Sequence, residues 1–131
     1  MRGNPVCTVK TIRSSDAIGR IIRGGRRYRS RSLVVFVSVR DADVAKSEGE
    51  GRVAYIAPKR LGNAVYRNRC KRLLRAGLQK AAAANPELFK WDMIDIIYMA
   101  NERTVKASPT ALGEEMTAVQ KRIISSDNQL V

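Results

Sequence analysis

The 131-residue chain contains no histidine. Imidazole acid–base chemistry and imidazole metal ligands are therefore excluded, and with them a protein-only nuclease of the two-histidine type. Cysteine is nearly as scarce. Cys7 and Cys70 lie far apart, a spacing that fits neither a zinc site nor a disulfide framework. No purely apolar run is longer than Leu33–Val37, far short of the roughly 20 residues that cross a bilayer as a helix. The N-terminus is polar and basic and has no apolar h-region of a secretory signal. These absences predict a reduced, soluble protein of the cytoplasm, with no membrane partner.

Acid is missing from one long stretch. Residues 59–80 hold eight Lys or Arg and no Asp or Glu. The whole chain carries 25 basic against 12 acidic residues, a formal charge of +13. The excess is localised: residues 1–40 contribute +9 and residues 59–80 contribute +8, while 41–58 and 81–131 come to −2 each. Two blocks therefore set the field, and phosphate is the natural ligand class. At this length the chain makes one domain over residues 1–131, with an ordered core at about 12–124.

The central basic block is ordered as well as charged. Placed on an α-helix from Ala64 at about 100° per residue, Tyr66, Cys70, Leu73, Leu74 and Gly77 form one stripe. Arg67, Arg69, Lys71, Arg72 and Arg75 spread over the other side, with Asn68 among them. Most charge runs are solvated faces, but those mix signs in Glu–Lys pairs. This one does not. It reads as a helix docked on a core and offering a cationic face to a polyanion. A membrane-surface helix would need more apolar bulk than Tyr66, Leu73 and Leu74 supply.

The rest of the chain frames that helix. Ser14 or Ser15 can cap a helix through about Arg23, with Ile18, Ile21 and Ile22 on one side, and Gly24-Gly25 ends it. Arg26–Arg31 is a basic loop or strand. Residues 32–39 read as a strand with Leu33, Val35, Val37 and Val39 on one face and Val34, Phe36 and Ser38 on the other. Residues 41–51 form a polar connection. Residues 52–58 are a second strand stopped by Pro58. The basic helix runs to about Ala84, before Asn85-Pro86. Asp92–Ala100 is a third strand. The last helix opens at Ser108-Pro109 and buries Leu112, Met116, Val119 and Ile123. Its tail frays from Ser125. Residues 1–11 show no period. The order helix–strand–strand–helix–strand–helix implies an α+β, two-layer sandwich with a mostly antiparallel sheet.

No catalytic constellation appears. Asp92, Asp95, Glu114 and Glu115 read as solvent groups rather than ligands of a two-metal site. No protein metal site is predicted.

The run Lys59-Arg60-x-Gly62-Asn63-Ala64-Val65-x-Arg67-Asn68-Arg69-x-Lys71-Arg72-x-x-Arg75 resembles the signature of the bacterial ribonuclease P protein component. The likeness extends from about Leu33 to Ile124, and more loosely from Ile12. The resemblance implies the protein subunit of ribonuclease P, an endoribonuclease that removes the 5′ leader of precursor tRNA. It implies catalysis in an RNA subunit with bound Mg²⁺, one protein per RNA, and a left-handed βαβ crossover around the basic helix. It also implies an extra short strand near the first helix, which Tyr28–Arg31 could supply. By the match, Lys59, Arg60, Asn63, Arg67, Asn68, Arg69, Lys71, Arg72 and Arg75 contact the catalytic RNA. Ile18, Ile22, Arg31 and Phe36 line a cleft for the single-stranded leader. Two aromatic positions usual on the first helix of the family are here Ile18 and Ile22, which removes their stacking contribution. The reading set against this one is a structural RNA-binding module such as a small ribosomal protein. A DNA-binding protein fits less well, because no second helix adjoins the basic one in helix-turn-helix spacing.

Overall fold

The structure is a computed structural model that describes residues 10–12, 15–39, 52–89 and 94–130. The expected connection at 41–51, the capping Ser14 and Asp92 lie outside the described residues. The elements are β1 (Lys10–Thr11), α1 (Ser15–Gly24), β2 (Arg26–Arg29), β3 (Leu33–Val39), β4 (Arg52–Ile56), α2 (Ala64–Ala84), β5 (Ile94–Ala100) and α3 (Pro109–Leu130). Each predicted helix and strand appears, and the arginine-rich segment after α1 is a strand. Two features differ from expectation. Lys10–Thr11 pairs in parallel with β4, a two-residue ladder too short to leave a period. The last helix continues through Leu130 rather than loosening at Ser125.

One five-stranded sheet runs in the order β1-β4-β5-β3-β2. The β3–β5 ladder has seven paired positions and the β2–β3 ladder four, all antiparallel. The β4–β5 ladder has five and the β1–β4 ladder two, all parallel. Because β4 and β5 are parallel neighbours, α2 is the crossover between them.

The period-2 alternation of β3 divides the core in two. Leu33, Val35 and Val37 share a buried cluster with Val53, Ile96 and Tyr98 from the sheet, Cys70, Leu74, Leu78 and Ala81 from α2, and Leu112, Met116, Val119 and Ile123 from α3. Burying one such aliphatic side chain contributes about 1.5–3 kcal/mol, so this face fixes α2. Phe36 belongs to a smaller cluster on the other face with Ile12, Ala17, Ile21, Ala54 and Ile97. The sandwich of sheet and two long helices thus carries α1 on its reverse side as a partial third layer. Helices α2 and α3 meet at two glycines. A Cβ on Gly113 would stand 2.9 Å from the Gly77 carbonyl oxygen, so neither backbone could approach as it does with larger residues.

The central strand, β5, carries a buried carboxylate. Asp95 is 3% exposed and accepts two hydrogen bonds from Arg52, Nε at 2.9 Å and Nη2 at 2.7 Å. Asp95 is therefore a paired residue inside the fold, not the solvent carboxylate its sequence position suggested. The bidentate fork satisfies both carboxylate oxygens at a buried site.

Candidate nucleic-acid interface

The strand β4 delivers the chain into α2 through a tight turn. Lys59–Leu61 forms a 3₁₀ turn after Pro58. Gly62 follows with φ 151°, and a Cβ there would stand 3.2 Å from the Tyr66 ring. Glycine is required on both counts. Asn63 is the N-cap: its Oδ1 accepts from the Tyr66 backbone N–H at 2.9 Å. The cap satisfies one of the four orphan donors of the helix start. Asn63, expected as an RNA contact, commits its side-chain oxygen to the helix and keeps its amide nitrogen as a separate donor.

Cys70, Leu74, Gly77, Leu78, Ala81 and Ala82 are the buried side of α2. Cys70 is fully buried, and desolvation pushes its thiol up, against the weaker pull of its backbone hydrogen bond and Arg69. An inert structural thiol results. On the outer side, Arg69, Val65, Arg72, Asn68, Arg75 and Lys71 follow one another over an arc of about 160°. Asn68, Arg69, Arg72 and Arg75 are exposed and Lys71 half-buried. Val65, Asn68, Lys71, Arg72 and Arg75 surround a shallow depression of about 430 Å³. Val65 is 76% exposed, the one large apolar side chain so placed among the described residues. It gives the cationic face an apolar spot against which a base or ribose can pack. Sequence reasoning did not single it out as a contact. The signal was its place on the charged arc, three residues before Asn68.

Three arginines of the signature, Arg60, Arg67 and Arg75, have partners within the chain. Arg67 is half-buried, and its Nε donates to the Ala57 carbonyl at 3.3 Å, tying α2 to the end of β4. Arg75 lies over the Tyr55 ring, 5.0 Å from its centre. Tyr55 in turn stacks on Tyr98, with ring centres 6.2 Å apart. Desolvation pushes the Tyr55 hydroxyl up to about 12, with Arg75 opposing. Ahead of the helix, Lys59 and Arg60 are exposed. Arg60 forms an ion pair with Glu102 at the end of β5. The Glu102 carboxyl is held below its usual range, first by its own backbone N–H and then by Arg60.

The expected leader cleft is less unified. Ile18 and Ile22 are half-buried and pack against the cluster beneath α1. Phe36 is 6% exposed within that cluster. Its ring packs beneath α1 with Ala17 and Ile21. Arg31 does not join these three. It lines a separate depression with Ser32, Arg103, Lys106, Ala107, Ala111 and Glu115.

Among the described residues no three Cys, Asp or Glu side chains gather as metal ligands, and no helix is long and apolar enough to cross a membrane. The arrangement can neutralise and orient a phosphate backbone.

A family model described as Ribonuclease P matches residues 8–124. A ribonuclease P protein component from Natranaerobius thermophilus is 33% identical over 67 residues, covering 51% of this chain. The match spans 53% of that relative, about half its length. The RNase P protein of Staphylococcus aureus superposes with a TM-score of 0.64 at 23% identity, over 88% of this chain and 95% of that one. The RNase P protein from Thermotoga maritima gives a TM-score of 0.64 at 17% identity, over 86% and 96%. At these identities the two structures show the fold.

Proposed function

The chain belongs to the ribonuclease P protein family, and on that premise we propose that it is the protein subunit of a ribonucleoprotein that removes 5′ leaders from precursor tRNA. The outer arc of α2 docks on the catalytic RNA. Arg69, Arg72, Arg75 and Lys71 displace condensed counterions there, and the arginine forks engage phosphates in pairs of hydrogen bonds. Arg67 sets the angle of the helix through Ala57 and offers its remaining guanidinium donors. The α1 side of the sheet, at Ile18 and Ile22, takes the single-stranded leader by apolar packing on its bases. One protein serves one RNA, in the cytoplasm. Bond cleavage belongs to the RNA, and Mg²⁺ held there would supply water activation and charge stabilisation.

The observation that carries this reading is a 22-residue stretch without acid, residues 59–80, folded so that its apolar side is buried and most of its cations point outward. The test is reconstitution with a bacterial ribonuclease P RNA at low Mg²⁺. Cleavage of precursor tRNA at the mature 5′ end should require protein and RNA together. Site-specific cleavage by protein freed of all RNA would contradict the proposal, as would an RNA indifferent to the protein.

A further inference from the structure

The depression at Arg31 lies at the end of the sheet where β4 and β5 finish. Its volume is about 470 Å³, ample for a phosphodiester and its flanking sugars. Arg31, Arg103 and Lys106 stand on its rim, all exposed. Among the described residues none of the three makes an ion pair. Glu115 is the one carboxylate in the lining. Its Oε1 accepts from Ser30 Oγ at 2.6 Å and from the Ser32 backbone N–H at 2.8 Å. That carboxylate braces the β2–β3 loop, and three cations against one acid leave the depression positive.

The walls are tied together from inside. Asn101 Nδ2 donates to the Arg31 carbonyl at 3.2 Å, and Asn101 Oδ1 accepts from the Arg103 backbone N–H at 2.8 Å. Thr104, fully buried, donates its hydroxyl to the Ser32 carbonyl at 2.6 Å. The loop before β3 and the loop after β5 are thus one braced unit. Their backbone polar groups are spent on each other, while the charged tips are left unpaired. Structural ion-pair networks have the opposite pattern.

The same unit is joined to the basic helix. Glu102, next to Arg103 in the chain, holds Arg60 on the turn that enters α2. The Arg60–Glu102 ion pair thus ties the turn that enters α2 to the loop that carries Arg103 and Lys106. We infer that Arg31, Arg103 and Lys106 form a second phosphate site, occupied by a backbone phosphate of the RNA that lies on α2. The inference rests on the proposed docking of that helix. The tie between this loop and the α2 entry turn favours the catalytic RNA over the substrate as the source of the phosphate.

The test compares two double variants of the full chain, Arg103→Ala/Lys106→Ala and Lys71→Ala/Arg72→Ala, each bound to a bacterial ribonuclease P RNA over a series of monovalent salt concentrations. Each pair should flatten the log–log salt slope by about two units. The charge-keeping variant Arg103→Lys/Lys106→Arg should retain the wild-type slope, which a packing role would not predict. Flattening by the α2 pair alone overturns the second site and leaves the docking of α2 standing. Flattening by neither overturns both. A third arm measures precursor tRNA binding to the assembled holoenzyme. Weakening there, with unchanged affinity for the RNA subunit, would move the site to the substrate and overturn the assignment made here.

Discussion

The guanidinium of Arg75 rests 5.0 Å from the centre of the Tyr55 ring, so a cation of the exposed helix face is also a clamp on the sheet beneath it. The ring it covers stacks on the buried Tyr98. Contacts of this kind contribute about 0.5–1 kcal/mol at partly exposed positions. Arg75→Ala should lower stability by that order in chemical denaturation, and should also weaken RNA binding. Arg75→Lys should recover part of the RNA affinity through charge but less of the stability, because an ammonium lacks the planar stack. Equal melting of wild type and Arg75→Ala would show that the clamp contributes nothing.

The same pair sets behaviour at high pH. The Tyr55 hydroxyl is pushed up to about 12 by desolvation, and burial raises that of Tyr98 well above its ordinary value, with Tyr55 adding in the same direction. In the unfolded chain both titrate near 10. Folding is therefore at full strength below about pH 10 and loses stability as pH rises from there through about 12, since the unfolded state releases these protons first. For Tyr55 the loss is at most about 2–3 kcal/mol. Phenolate absorbance followed with circular dichroism, read against Tyr55→Phe and Tyr98→Phe variants, should show Tyr55 and Tyr98 ionising only as the protein unfolds. Titration of these two near 10 in a folded protein would refute the burial argument.

Phe36→Ala should act through the core. The ring is 6% exposed beneath α1, and truncating a buried phenylalanine costs about 3–5 kcal/mol. Melting should fall sharply, and every RNA-dependent function should suffer alike. A variant that melts like wild type but loses only affinity for leader-bearing tRNA would restore the ring as a stacking platform.

The contrast between Phe36 and α2 shows what could be read from residue order. The apolar stripe of α2 and the alternation of β3 are local periods, and both predicted the buried faces. Pro58, Gly62 and Asn85-Pro86 are local punctuation, and they bounded the helix. Phe36 lies on the face opposite Leu33, as alternation required, but whether α1 covers that face depends on packing between distant segments. The parting of Arg31 from Ile18 and Ile22 has the same origin. It is fixed by Asn101, Thr104 and Glu115, some 70 to 85 residues downstream. Asn63 and Arg67 illustrate a different ambiguity. A residue that can hydrogen-bond phosphate can also cap a helix or hold a carbonyl, and the surrounding fold sets which of its atoms do so.

On the proposed function, α2 faces the catalytic RNA while the α1 side faces the leader. Site-specific photo-crosslinking tests it most directly, with a reactive group placed at Asn68 in one protein and at Ile18 in another, each assembled with ribonuclease P RNA and precursor tRNA. The account predicts crosslinks from position 68 to the RNA subunit, with or without substrate. It predicts crosslinks from position 18 to leader nucleotides, lost when leaderless tRNA is supplied. Crosslinks from position 68 to the leader, or from position 18 to the RNA subunit alone, would contradict it.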